Sequence, residues 1–279
     1  MNVAVAPAKD PEIGRLVQTG SIKTNLHDVG EGSPVLMIHG SGPGVSAWAN
    51  WRLNIGPLSR TKRVIAPDMV GFGFTERPAG AVYGKALWTR HLADVLDALN
   101  IEQADIVGNS FGGGLALAFA IRHPDRVRRM VLMGSVGVSF PITAGLDAVW
   151  GYEPSIENMR KLLDIFAYDR TLVSDELAEL RYKASIRPGF QESFSAMFPA
   201  PRQSGVDGLA SDEKEIAGLR HPSLVIHGRE DKVIPTEASR RLFDLLPNAE
   251  LHMFGKCGHW TQIEHAERFN ILVANFLKD

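Results

Sequence analysis

Residues 106–114, Ile-Val-Gly-Asn-Ser-Phe-Gly-Gly-Gly, constrain this chain more than any other stretch. An apolar run, Ala104 to Val107, leads into Gly108-Asn109-Ser110-Phe111-Gly112, and small residues follow from Gly113 to Ala120. This is G-x-S-x-G set between a strand and a helix. A turn that tight predicts a strained backbone at Ser110, with glycine on either side because side chains there would collide. The strain lifts the serine oxygen clear of the sheet. It places it at the N-terminus of a helix whose dipole favours negative charge. A glycine-rich turn that merely caps a helix is the plainer alternative, and the strand before and helix after weigh against it.

The other strands follow from short apolar runs. Residues 14–19 and 22–29 read as an antiparallel pair joined near Gly20. Pro34 to His39 suits a strand buried on both faces, and it ends in Gly40-Ser41-Gly42-Pro43-Gly44. A helix is predicted over Ala47–Leu58, a strand over Arg63–Pro67, and an amphipathic helix from about Leu87 to Leu99. Strands recur at Val127–Met133, Ser223–His227 and Glu250–Phe254, and a last helix runs from about His265 to Leu277. Strands alternating with helices predict an α/β fold, a mostly parallel sheet covered on both faces.

The alternation breaks from about Val138 to Ala210, where helices alone are predicted. Ser155 can cap one whose Ile156, Met159, Leu162, Leu163 and Phe166 keep the helical period. Others run over Asp175–Ile186 and Gln191–Phe198. We read core at 1–137, a helical cap at 138–210 and core again at 211–279. Such a cap would cover the carboxyl ends of the strands, where ligands bind in open α/β sheets.

The chain has 279 residues, enough for one large core with an inserted subdomain. A net charge of −2 argues against a nucleic-acid surface, and no apolar run is long enough to span a membrane. The single cysteine, Cys257, excludes an intrachain disulfide and suits a reducing compartment. Met1 to Asp10 lacks the basic start and apolar core of a signal peptide and reads as a loose tail. These features predict a cytoplasmic protein.

A serine hydroxyl needs a base to take its proton and a carboxylate to orient that base. In a fold of this kind the chain order is Ser, acid, His. His259 stands in a glycine-flanked loop after the last strand, in Gly255-Lys256-Cys257-Gly258-His259-Trp260. Its rivals His227 and His252 lie within strands, and His265 begins a helix. Asp231 and Glu230 compete as the acid, in His227-Gly228-Arg229-Glu230-Asp231, and the Lys232 to Pro235 stretch that follows favours Asp231. Asp68 precedes Ser110, breaks the order and is read as a loop hydrogen-bonder. An oxyanion hole would take the Phe111 N–H and another from Gly40-Ser41-Gly42. That loop lacks the Lys-Ser/Thr of a phosphate-binding P-loop, and Gly71-Phe72-Gly73-Phe74-Thr75-Glu76 lacks the third glycine of a dinucleotide fingerprint. Cys257 reads as a packed residue rather than a second nucleophile. In the cap, Arg181 sits beside Leu177, Leu180 and Ala184 with no carboxylate at i±3 or i±4. It can clamp a carboxylate in the cleft or snorkel to solvent, and periodicity does not choose.

Together these residues resemble the α/β-hydrolase superfamily and, within it, the meta-cleavage product hydrolases, most closely the 2-hydroxymuconic semialdehyde hydrolases. The resemblance rests on His39-Gly-Ser-Gly-Pro-Gly44, Ser46-Ala-Trp-Ala-Asn50, Gly108-Asn-Ser-Phe-Gly-Gly113, Leu163-Asp-Ile-Phe-Ala-Tyr-Asp169 and Lys256-Cys-Gly-His-Trp260. It implies hydrolysis of a carbon–carbon bond in an anionic dienol or dienone, with Ser110, Asp231 and His259 as triad. It further implies backbone amides of Ser41 and Phe111, with Gly42 beside them, at the oxyanion. Asn50, Asn109, Arg181 and Trp260 would hold the carboxylate and 2-oxo end, and Phe166 would wall the pocket. The resemblance implies no cofactor and no metal, and suggests a homo-oligomer. The sequence departs from the family's pattern at Ser204-Gly205. A carboxylesterase with the same triad, and a non-catalytic ligand receptor on the same fold, are the competing readings.

Overall fold

A computed structural model describes residues 10–278, so the tail expected over Met1–Asp10 lies, but for Asp10, outside the described residues. Eight strands form one sheet: β1 (Arg15–Thr19), β2 (Ile22–Val29), β3 (Pro34–Ile38), β4 (Arg63–Pro67), β5 (Ala104–Asn109), β6 (Val127–Met133), β7 (Ser223–Gly228) and β8 (Ala249–Phe254). Their spatial order is β1-β2-β4-β3-β5-β6-β7-β8. The first two strands run antiparallel to each other, and β2 runs antiparallel to β4. All other neighbours are parallel.

The period of two sorts the strand side chains onto two faces. Leu36, Ile38, Ile106, Met130, Leu132 and Val225 join the larger apolar cluster. Their alternates Val35, Met37, Val107, Val131, Met133, Leu224 and Ile226 join the smaller one. Burial on both sides is what made these runs continuously apolar rather than alternating.

Between the early strands lie α1 (Ala47–Trp51), α2 (Ile55–Leu58), α3 (Lys85–Ala98) and, after β5, α4 (Phe111–Arg122). The single helix expected over Ala47–Leu58 is thus two. Pro57 has no N–H for the Leu53 carbonyl, so a continuous helix would lose that bond and crowd the ring against it. Asn270 Nδ2 donates to Leu53 O at 2.9 Å instead. The last helix, expected from about His265 to Leu277, is α13 (Ala266–Phe276), preceded by the short α12 (Thr261–Glu264), and α11 (Thr236–Leu245) joins β7 to β8.

Between β6 and β7 the chain forms α5 (Ala144–Trp150), α6 (Ile156–Phe166), α7 (Asp175–Ser185), α8 (Phe190–Met197), α9 (Gln203–Leu209) and α10 (Glu213–Gly218). Ser155 caps α6, accepting the Asn158 N–H at 3.0 Å. The apolar period of α6 buries Met159, Leu162, Leu163 and Phe166. Helices α5 and α9 had no clear sequence signature, because Gly145, Gly205 and Gly208 lower their propensity. No described helix is long and apolar enough to cross a membrane.

Candidate active site

Ser110 takes φ 54° and ψ −114°, a left-handed backbone that costs a non-glycine residue about 1–3 kcal/mol. Its neighbours hold it there. The Ser110 N–H donates to Met133 O at 2.8 Å, and Ser110 O accepts from Gly113 N and Val136 N at 3.0 and 3.2 Å. A Cβ on Gly112 would sit 2.2 Å from Ile38 O, and one on Gly108 2.4 Å from Gly112 O. The predicted collision is therefore real at both glycines. Phe111 opens α4, so its N–H has no acceptor within the helix.

On the adjoining strand ends, His259 Nδ1 lies 2.7 Å from Asp231 Oδ2. Glu230 is turned away, with Oε1 on Arg229 Nη2 at 2.8 Å and Oε2 accepting Cys257 N–H at 3.0 Å. The Asp231 carboxylate is fully buried and receives four contacts. Its Oδ1 accepts Val233 N–H and Ile234 N–H at 2.7 and 3.0 Å. Its Oδ2 is also 3.1 Å from His227 Nε2. Burial alone would raise the Asp231 carboxyl, but the His259 charge and the hydrogen bonds of His227 and His259 outweigh it and hold it well below the usual range. His227 Nε2 faces two acceptors, Asp231 and Ile234 O at 3.1 Å, so it carries the proton, and Nδ1 accepts from Ser239 Oγ at 2.6 Å. His227 thus orients the Asp231 carboxylate. Its place in a strand had set it aside as a base, and the sequence gave no sign of this second task.

Ser110 and His259 line one cleft together with Ser41, Gly42, Asn50, Asn109, Phe166, Arg181 and Trp260. Every residue expected at the site, apart from buried Phe111 and Asp231, faces this space. The Ser110 hydroxyl does not hydrogen-bond His259 in this arrangement; such contacts commonly tighten only when substrate is bound.

The Gly40-Ser41-Gly42 loop is fixed from behind. Gly40 N–H donates to Asn50 Oδ1 at 2.8 Å, so it is not available to a ligand. Asn109 Nδ2 donates to the same oxygen at 2.9 Å. Two donors on one oxygen fix both amide orientations. They leave Asn50 Nδ2 and Asn109 Oδ1 buried and without partners, one donor and one acceptor beside the cleft. Both atoms keep their hydrogen-bonding capacity beside the cleft.

Arg181 is half-buried and reaches Pro43 O with Nη2 at 3.3 Å. Desolvation lowers it, Glu12 raises it, and Arg52 lowers it again. Arg52 also lines the cleft, a second cation that the sequence did not single out. Leu180 lies off the buried stripe and is 56% exposed, while Ala178, Ala184 and Ser185 face inward around Arg181.

The helices between β6 and β7 grip the His259 loop. Phe166 stacks on Trp260 at 5.0 Å between centroids, and the His259 N–H donates to Phe166 O at 2.7 Å. Glu264 ties the same two segments. Its Oε1 accepts Gly258 N–H, and its Oε2 accepts Tyr168 N–H and Asp169 N–H, each at 2.8 Å. Asp68 proves to be the loop hydrogen-bonder expected, accepting Ala47 N–H, Phe74 N–H and Asn25 Nδ2 at 2.6, 2.8 and 2.8 Å. Burial pushes the Cys257 thiol up to about 12, which leaves it unreactive. Among the described residues, no group of three or more His, Cys, Asp or Glu side chains could hold a metal ion.

A family model described as the alpha/beta hydrolase fold matches residues 33–266. The chain is 68% identical over 274 residues to the 2-hydroxymuconate semialdehyde hydrolase of Pseudomonas sp. (strain CF600), covering 98% of this chain and 97% of that one. It is 66% identical over 266 residues to the 2-hydroxy-6-oxo-2,4-heptadienoate hydrolase of a Pseudomonas putida strain, covering 95% and 96%. A solved meta-cleavage product hydrolase from Pseudomonas fluorescens IP01, CumD, in a serine-to-alanine form complexed with acetates, superposes with a TM-score of 0.95 at 62% identity, covering 96% and 98%. With a serine elbow, a buried Asp–His pair and relatives this similar along nearly its whole length, the chain belongs to the α/β-hydrolase fold family and, within it, to the meta-cleavage product hydrolases.

Proposed function

We propose that this enzyme hydrolyses the C5–C6 bond of meta-ring-fission products of catechols, of the 2-hydroxy-6-oxo-hexadienoate type. The products are 2-hydroxypenta-2,4-dienoate and formate or a short carboxylic acid. One observation carries the reading: a single cleft holds Ser110, an Asp231-oriented His259 and the guanidinium of Arg181. The first two suit acyl transfer from C6, and the third suits a substrate carboxylate. The relatives' names point to the same substrate class.

The bound dienol first gives up its C2 hydroxyl proton and gains one at C5, forming the 2-oxo tautomer. His259 then takes the Ser110 proton as the oxygen attacks C6. The new oxyanion is met by the N–H groups of Phe111 and Ser41, with Gly42 beside them, each worth about 3–4 kcal/mol. As C5–C6 breaks, its electron pair passes from C5 through the C3=C4 alkene to the C2 oxygen, giving the dienolate, and the proton on His259 returns to that oxygen. Water cleaves the acyl-Ser110 ester. Asn50, Asn109, Arg181 and Trp260 hold the carboxylate and C2 oxygen, and Phe166 forms the wall beside them. Residues 138–210 act as the cap over this cleft. We further propose a cytoplasmic homo-oligomer, consistent with the lone buried Cys257; a monomer mass by light scattering would refute the assembly.

The test is a spectrophotometric assay on yellow ring-fission products that differ only at C6, with Ser110→Ala as control. Turnover that disappears in the control supports the reading. Ester hydrolysis without dienone turnover would make the protein a carboxylesterase. Binding without any turnover would make it a receptor.

A further inference from the structure

Trp150 ends α5 and is 2% exposed. Its ring stacks on Phe198 with centroids 4.5 Å apart and planes at 6°. Gly205 of α9 lies against the benzo edge: a Cβ there would meet Trp150 Cζ3 at 2.8 Å and Cε3 and Cη2 at 3.4 Å. Contacts from two later segments thus fix the plane of one indole. That plane aims Nε1–H at Ser41 Oγ, 2.9 Å away. The bond leaves the helical insert and lands on the loop after β3.

An indole nitrogen only donates. Ser41 Oγ is therefore the acceptor, and its own proton has to point elsewhere. Among the described residues Ser41 Oγ makes no other hydrogen bond, and Ser41 faces the cleft that holds Ser110. We infer that Trp150 is a positioning residue that turns the Ser41 hydroxyl proton into the cleft, as a side-chain donor beside the backbone donors at the C6 oxyanion. The inference rests on the hydrolase reading above and deepens it. A serine hydroxyl left alone samples several staggered proton positions. Fixing one in advance removes the reorganisation that would otherwise accompany charge development. The same packing gives Gly205 its role: a side chain at 205 would push the indole off its line to Ser41.

A double-mutant cycle tests this. Trp150→Phe keeps an aromatic ring for Phe198 but removes the N–H together with part of the indole's bulk, while Ser41→Ala removes the hydroxyl. Each should lower kcat on a ring-fission product by about 10- to 100-fold with KM nearly unchanged. The double variant should be no slower than Ser41→Ala alone. Gly205→Ala should slow the wild type but not Trp150→Phe, whose smaller ring leaves room for the methyl. A wild-type kcat for Trp150→Phe, or losses that multiply in the double variant, overturns the inference. If Trp150→Phe does not fold, Gly205→Ala closes the same cycle with Ser41→Ala. Ser110→Ala runs alongside. Turnover surviving there would defeat the hydrolase reading itself, whereas its loss with an additive cycle defeats only the role of Trp150.

Discussion

Lowering the pH from 7.5 to 5 should weaken the fold through two histidines that are 0% exposed, His39 and His91. Both are held neutral by their partners. His39 Nε2 accepts the Met69 N–H at 2.9 Å, and its Nδ1 donates to Gly40 O at 2.7 Å. His91 Nδ1 accepts the Val70 N–H at 3.2 Å, and its Nε2 donates to Thr24 Oγ1 at 2.8 Å. A second proton on either ring would break an accepted bond inside the core. Burial lowers His39 to about 4, and burial together with the nearby His39 lowers His91 to about 3. The unfolded chain takes up both protons near pH 6.5, so this stabilisation is complete above 6.5 and is lost as pH falls toward the folded values. At pH 5 the loss is about 2 kcal/mol for each ring. Asp68 works in the opposite sense. Burial raises it to about 6, so protonation of the native state returns roughly 1 kcal/mol over the same interval. Asp231 is depressed, and its contribution fades only below the range of an ordinary carboxylate. These three groups together lose about 3 kcal/mol, a large share of the 5–15 kcal/mol typical of a domain. His91→Gln isolates one ring, because its amide can accept from Val70 and donate to Thr24 without titrating. Urea unfolding followed by tryptophan fluorescence at both pH values should show the variant losing about 2 kcal/mol less than the wild type. Equal losses in the two proteins would refute the argument.

Arg181→Ala should slow carbon–carbon cleavage at least about 100-fold more than hydrolysis of a neutral ester, since only the first substrate presents a carboxylate; equal losses would count against the clamp. Asp231→Asn should cut kcat by about 10⁴ by leaving His259 in the wrong tautomer, and a loss under tenfold in steady-state assays would remove Asp231 from the triad. Glu264→Gln replaces one of two accepting oxygens with a donor beside the Gly258, Tyr168 and Asp169 amides. It should cost about 1–3 kcal/mol and lower the calorimetric Tm, and an unchanged Tm would show that the clamp carries no stability. Gly112→Ala should yield no folded protein, and a soluble variant with native circular dichroism would contradict the 2.2 Å approach to Ile38 O.

Much of the fold was legible because burial on both faces leaves a plain trace. Pro34–Ile38, Ala104–Asn109 and Ser223–Gly228 are short apolar runs between turn residues, and each is a central strand. Helix α6 was legible because Ser155 and the apolar period agree. Helices α5 and α9 were not, since their glycines suppress local propensity and tertiary packing supplies what propensity lacks. The break between α1 and α2 carried a local signal in Pro57. What replaces the lost bond, Asn270, lies more than two hundred residues away and could not be read in advance.

The site divides in the same way. Ser110 and the His259 loop announce themselves locally, because strain needs glycine and a loop histidine after a strand has few other uses. The residues that tune them do not. His227 sits inside β7 and resembles a packed core histidine until Asp231 folds back onto its Nε2. Glu264 resembles a helix surface carboxylate until the segment after α6 brings two amides to it. Trp150 is another apolar helix residue until its ring is trapped between Phe198 and Gly205. In each case the chemistry belongs to a pair of atoms from distant segments, and sequence spacing says nothing about such a pair. The physical consequence is a division of labour. Ser110 and its strain belong to one strand–turn–helix, held from the sheet side by Met133 O and the Val136 N–H and by the close approach of Gly112 to Ile38 O. The orientation of the acid, the His259 loop and the Ser41 hydroxyl depends on packing between segments. Substitutions far from the cleft in sequence, at Gly205 or Glu264, should therefore change the rate while leaving the serine elbow intact.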